Sequence, residues 1–395
     1  MNTSRSFFSQ SVGVLAIGTV IAQGIGYLVA PLISRLYSPD DMGELGLYMR
    51  VVGLGSVIIT ARYELSIPIA KSDYHGVLLT RLATRIVALF FILFTIASFI
   101  WLIFFTDDFI TESLWLLLVG ISIVTLALTN VGVNLATRLS KFSQISSSRI
   151  YQSLGTHFFR LCFGLLNFGS IGLLLGSTLG FIFGLIGFNG SFRSVLLSKS
   201  YPQSKRKTYL LASQYRDFPF ISLPHALMEL AKDVIVALVI IYFFSQELFG
   251  SFSYAFTMLR LPLLVIGAAI GQVFFKKLAD LNHHKDSLYP TVKKLLIQLF
   301  SLSFIPFLIL QFFGEETFGF VFGAEWKVAG SMAEIMSIWL FFNFISSPVS
   351  TLPIILNKQR PFFLLGSIMT LSQLIGFGIV PLFIGKSTDD FMSIL

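Results

Sequence analysis

The strongest constraint on this chain is a repetition of apolar runs, each about twenty residues long, separated by short segments that gather most of the charge. A run of that length crosses ~30 Å of hydrocarbon as an α-helix. Eleven such runs can be marked, at 11–35, 43–69, 86–105, 113–136, 150–168, 170–190, 218–245, 250–275, 295–313, 330–356 and 361–384. Phe391 to Leu395 reads either as the opening of a twelfth span or as an ordinary short tail. Only 12% of the 395 residues are charged, against ~25% in a soluble domain. The expected fold is therefore all-α: a polytopic integral membrane protein of about eleven to twelve transmembrane helices. Met1 to Gln10 is polar with a single Arg5, and no small-residue cleavage site follows, so the first run is expected to be a retained helix and not a removed signal peptide.

Orientation follows from the cations. With the N-terminus cytoplasmic, the inside segments hold Arg5; Lys71, Arg81 and Arg85; Arg138, Lys141 and Arg149; the cluster from Arg193 through Lys205-Arg206-Lys207 to Arg216; five lysines between Lys276 and Lys294; and Lys358 and Arg360. The outside segments hold only Arg35, Lys327 and Lys386, beside acids such as Asp107, Asp108, Glu315 and Glu316. The net charge of +8 is thus a topology signal spread over short loops, and nucleic-acid binding is not expected. Lys205-Arg206-Lys207 is placed to touch anionic membrane lipids. No loop is long enough for a catalytic domain. The expected organisation is an N-terminal helical bundle over 1–190, a basic cytoplasmic linker over 191–217 and a C-terminal bundle over 218–395.

Nine residues with a full charge fall away from the ends of the predicted spans: Arg50, Arg62 and Glu64 in the second, Arg160 in the fifth, Glu229, Lys232 and Asp233 in the seventh, Arg260 in the eighth and Glu334 in the tenth. Each costs at least ~2.5–3.5 kcal/mol at mid-depth, so it must pair or line a watery cavity. Seven of the nine lie on the second, seventh and eighth spans. Glu229, Lys232 and Asp233 share one side of a helix, either as a self-neutralising cluster that docks it or as a cavity face for a charged substrate or a coupling cation. Arg62 and Glu64 are two apart, do not share a helix face, and are expected to find partners elsewhere.

Other features read mainly as structure. Gly172, Gly176, Gly180 and Gly184 form a small-residue ladder for close helix packing. Pro31, Pro224, Pro262, Pro306, Pro348 and Pro353 interrupt spans, which marks either kinks near moving parts or a common membrane-helix residue. Gly53-Leu-Gly55 lacks the strand and the lysine of a nucleotide loop. Cys162 is the only cysteine, and neither it nor His75, His157, His225, His283 and His284 forms a metal-ligand pattern. No metal site and no hydrolytic constellation is expected, and the chain does not read as an enzyme.

Several phrases carry a resemblance. They are Pro31-Leu-Ile-Ser-Arg35-Leu-Tyr-Ser-Pro39, Asp41-Met-Gly43-Glu-Leu-Gly and Arg62-Tyr-Glu64-Leu-Ser-Ile-Pro68, then the Asn134–Ile150 basic loop, Tyr215-Arg-Asp-Phe-Pro219, Arg260-Leu-Pro262 with Ile270–Phe275, and Val321-Phe-Gly323-Ala-Glu-Trp326-Lys-Val-Ala-Gly330. In order and placement they resemble bacterial polysaccharide flippases of the Wzx type, within the multidrug/oligosaccharidyl-lipid/polysaccharide (MOP) exporter superfamily. The resemblance implies two six-helix bundles of the MATE/MOP kind, with spans one, two, seven and eight on the cavity; the incomplete twelfth span departs from that pattern.

The same resemblance implies that the chain translocates undecaprenyl-diphosphate-linked oligosaccharide across the bacterial inner (cytoplasmic) membrane, by alternating access, for O-antigen, lipopolysaccharide, capsule or exopolysaccharide synthesis. Another MOP exporter, moving drugs or a different lipid-linked precursor, is the alternative. On this reading Arg62, Lys232, Arg260 and Arg50 are the substrate-binding cations, since charge-assisted bonds suit a diphosphate. Glu64, Glu229 and Asp233 are the ion-coupling or charge-pairing acids. No cofactor is implied beyond an H⁺ or Na⁺ gradient. The implied partners are the lipid-linked oligosaccharide, membrane lipids, and a polysaccharide polymerase with its chain-length regulator.

Overall fold

A computed structural model describes residues 2–104, 109–196, 201–260 and 287–349, with single positions at 278, 281, 352, 368, 372, 375, 376 and 391–393. Every element among them is helical. The helices are α1 (Asn2–Ile33), α2 (Pro39–Thr60), α3 (Asp73–Phe104), α4 (Phe109–Arg138), α5 (Phe142–Leu165), α6 (Gly169–Ile186), α7 (Asn189–Leu196), α8 (Lys205–Gln214), α9 (Leu223–Phe243), α10 (246–260), α11 (Tyr289–Phe322) and α12 (Lys327–Ser346). Among the described residues, seven segments are long and apolar enough to cross a membrane. The expected span at 361–384, the second half of that at 250–275, and Pro262, Pro353, His283 and His284 lie outside the described residues.

The surface of α3 shows why this is a membrane protein. Leu89, Ile92, Leu93, Ile96, Phe99, Ile100 and Ile103 recur at helical spacing, yet all are exposed. In water such a stripe would turn to a core; left outward, it suits lipid, and the chain is a multi-pass membrane protein.

The chain forms two compact units: residues 1–29 with 47–235, and 30–46 with 236–395. In the first, α5 and α6 meet along the glycine ladder. A Cβ on Gly180 would stand 2.8 Å from the Cα of Thr156, and one on Gly176 2.8 Å from the backbone N of Arg160. The Ser148 hydroxyl donates to the Gly184 carbonyl at 2.7 Å. The ladder is a packing device, as expected. Tyr48, fully buried on α2, is bonded to Ser122 of α4 (2.6 Å) and Thr178 of α6 (2.8 Å).

In the second unit the segment 30–46 is tied to residues far along the chain. Ser38 opens α2 with a capping box: its hydroxyl accepts the Asp41 N–H (3.2 Å) and Asp41 Oδ2 accepts the Ser38 N–H (2.9 Å). Trp326, fully buried, donates its indole N–H to the Ser34 carbonyl at 2.8 Å. The Ser34 hydroxyl donates to the Phe322 carbonyl (2.9 Å), and the Tyr254 ring lies tilted against Trp326 with centroids 4.2 Å apart.

Three sequence expectations need correcting. The second span ends at Thr60, so Arg62 and Glu64 lie beyond it, Glu64 within a 3₁₀ turn over Tyr63–Ser66 and Arg62 at its N-cap. The third helix starts at Asp73, ahead of the span expected at 86–105, and takes in Arg81, which donates to two carbonyls. The span at 295–313 lengthens to Tyr289–Phe322, with helical geometry broken at Phe313 (φ −136°), so residues 314–322 are helix and not loop.

Candidate functional site

Two groups of the predicted residues gather in the first unit. The first is a hook. After Thr60, Ala61 and Arg62 both take left-handed backbone angles, φ 47° and 60°. For residues with a Cβ this costs roughly 1–2 kcal/mol each. Bonds on both sides hold it. Arg138 of α4 donates to the carbonyls of Ile67 (3.2 Å) and Ala70 (2.8 Å) and to Asp73 (3.2 Å). The Tyr63 hydroxyl donates to the Ala212 carbonyl of α8 at 3.1 Å.

Inside the hook Glu64 is 2% exposed, with Oε1 at 3.8 Å from Arg62 Nη1. The two residues therefore do find each other, against the expectation from helical spacing, because the chain between them is not α-helical. The pairing is incomplete: among the described residues Glu64 Oε2 and Arg62 Nε have no hydrogen-bond partner. Burial pushes the Glu64 carboxyl above the usual range, against the opposing pull of Thr60 and Arg62.

The second group lies on α9 and α2. A π-helical turn, Phe218–Ser222, with Pro219 near its start, leads into α9 and touches the hook. On α9, Lys232 Nζ is 3.9 Å from Asp233 Oδ1; Lys232 is half-buried, whereas Asp233 and Glu229 are exposed. Arg50, half-buried on α2, interacts electrostatically with Asp233. The arrangement is a strip in which cations sit back and acids stand forward, able to meet charge of either sign. It uses no strained backbone.

Arg260 stands in the second unit, exposed on α10, its guanidinium 5.3 Å from the Phe256 ring. The two remaining charges of the predicted spans, Arg160 and Glu334, are half-buried and serve packing. Arg160 donates to the Ser177 hydroxyl across the ladder (2.7 Å), and Glu334 accepts the Glu315 N–H (3.0 Å) where α11 meets α12. No three His, Cys, Asp or Glu side chains cluster for a metal among the described residues. Sequence reasoning missed Arg81, 5% exposed, which donates to the carbonyls of Tyr201 (2.8 Å) and Val195 (3.1 Å). Its position among other loop cations gave no signal of this.

The fold defines a class. It is similar to a multidrug resistance MATE family transporter of the MOP superfamily in an inward-facing conformation, at TM-score 0.65 and 13% identity over 97% of this chain and 92% of that one. The crystal structure of a MATE point mutant is similar at TM-score 0.51 and 14% identity, over 97% and 90%. Identities this low establish the fold alone. The chain belongs to the polysaccharide biosynthesis protein family, which matches it over residues 32–331. The first of these similar structures is itself that of a transporter. No curated protein matches it in sequence.

Proposed function

We propose that the chain is a flippase that carries undecaprenyl-diphosphate-linked oligosaccharide from the cytoplasmic to the outer leaflet of the bacterial inner membrane. The observation that carries this reading is a polysaccharide biosynthesis family match on a chain with a MOP transporter fold. Sugars and a diphosphate do not cross hydrocarbon unaided. Arg50 and Lys232 are the first contacts for the diphosphate, with Arg62 and Arg260 as further cations. Glu64, Glu229 and Asp233 take up the coupling proton or Na⁺, or hold those cations in place. The polyprenyl tail stays in lipid.

The exposed acids of α9 favour one second reading, an exporter of cationic small molecules within the same superfamily. One experiment separates the two. A strain lacking the protein is complemented with the parent chain, Arg62→Ala or Lys232→Ala, and lipid-linked oligosaccharide is measured on each face of the membrane. Both variants are expected in the membrane at parental level, with intermediate accumulating on the cytoplasmic face and surface polysaccharide absent. Normal polysaccharide in both overturns the headgroup assignment; drug sensitivity without accumulation favours the second reading.

A further inference from the structure

Between α6 and α9 stand the helices α7 and α8, and the outer face of α8 has no role so far. The helix α8 is fixed to the first unit from one side. Leu211 is buried in a cluster with Ile67 of the hook, Leu78 and Leu79 of α3, and Val195 of α7. Tyr74 stacks on Tyr201 with centroids 6.1 Å apart and donates to the Pro202 carbonyl at 3.0 Å, while Lys207 stands 5.0 Å over the Tyr74 ring. The N-terminus of α8 is capped by Ser204, whose hydroxyl accepts the Lys207 N–H.

The opposite face is different. Lys205, Arg206, Tyr209 and Leu210 occupy neighbouring positions at helical spacing, all exposed, Tyr209 at 75% and Leu210 at 57%. No acid lies on α8. Two cations beside an outward aromatic and an outward leucine would be a poor surface against water alone; they suit the boundary where headgroups meet acyl chains.

The depth is right for that boundary. With 32 residues α3 is about 48 Å long, well beyond the ~30 Å of hydrocarbon. Its lipid-facing stripe begins near Leu89. The preceding turns, from Asp73 to Arg85, carry the charges, and α7 and α8 pack there. Arg85, exposed at the junction, donates to Gln203 Oε1 at 2.6 Å just before α8.

We propose that the Lys205–Arg206–Tyr209–Leu210 face of α8 is a binding surface for anionic phospholipid headgroups. Tyr209 and Leu210 reach into the interfacial layer, and the two cations meet the phosphates. Because the other side of α8 holds Tyr63 and Ile67, bound lipid bears directly on the hook.

The test uses the full chain with Tyr209 replaced by the photoreactive p-benzoylphenylalanine, in nanodiscs of phosphatidylcholine and phosphatidylglycerol in equal amounts. These defined bilayers hold no lipid-linked oligosaccharide, so any anionic adduct comes from phospholipid. Adducts are counted by mass spectrometry with and without Lys205→Gln and Arg206→Gln; Lys207 is left in place because it packs on Tyr74. Phosphatidylglycerol adducts are expected in excess of the bilayer ratio, with up to about five-fold lost per cation removed and a further decline with added salt. An unmodified bilayer ratio in the parent, an excess unchanged in the double variant, or no lipid adduct at all overturns the proposal. Gel filtration of each sample ensures that the comparison is between folded proteins.

Discussion

The hook at Arg62–Glu64 and the strip on α9 hold charges of the same kinds but by opposite means. The hook buries its carboxylate almost completely, bends the backbone into a rare conformation and, among the described residues, leaves a polar atom of each partner without a hydrogen bond. The strip rides on an ordinary helix, with its acids outward and its lysine half-covered. Buried charge held in strained geometry is sensitive to protonation and to its neighbours, whereas exposed charge on a regular helix is available for contact at little structural expense. The hook is therefore suited to respond, and the strip to touch.

Charge reversal should separate them most widely. Glu64→Lys is expected to destabilise the protein by about 3–5 kcal/mol, since it leaves two cations facing each other where one is fully covered. Asp233→Lys should stay within ~0.5 kcal/mol, as surface changes do, while impairing transport. Thermal unfolding in detergent and transport by the same two variants check this; equal destabilisation would remove the distinction.

A smaller effect concerns pH. Burial favours the neutral Glu64 carboxyl and raises its value above that of the unfolded chain. Stability is thus greatest while both states are protonated, and it falls as pH rises from the unfolded value through the raised one. Glu64→Gln, which cannot ionise, should flatten that part of the stability–pH curve, and Glu229→Gln should leave it in place. Melting curves across the mildly acidic range measure both.

The smallest expected effect is in the backbone. Ala61→Gly should relieve the left-handed position and stabilise the hook by about 1 kcal/mol. Slower hydrogen exchange over 61–67 would show it; faster exchange would mean that the bend is not under strain.

The sequence made the long apolar helices legible, and the structure puts α4, α6 and α12 close to where hydropathy puts them, since lipid demands continuous apolar runs. The glycine ladder was legible for a similar reason: a four-residue repeat on a helix has one geometric meaning. The hook was not. Ile67, Ile69 and Ala70 continue the apolar count past Thr60, and no glycine or proline marks the reversal at Ala61. The early start of α3 was hidden too, because Arg81 resembles the loop cations around it until Tyr201 and Val195 are seen to satisfy it. Hydropathy reports what a segment prefers as a solvent; it is blind to carbonyls brought from more than a hundred residues away.

The bond from Trp326 to Ser34 joins residues 292 apart. At ~5–20 residues per second, a ribosome needs roughly 15 to 60 s to bring the indole into existence after the serine has emerged. Throughout that time the end of α1 and the start of α2 lack the rest of their own unit. Maturation of this protein cannot proceed as one finished half followed by another. Its first hairpin has to remain incomplete in the membrane, or in the care of the insertion machinery, until the start of α12 is made.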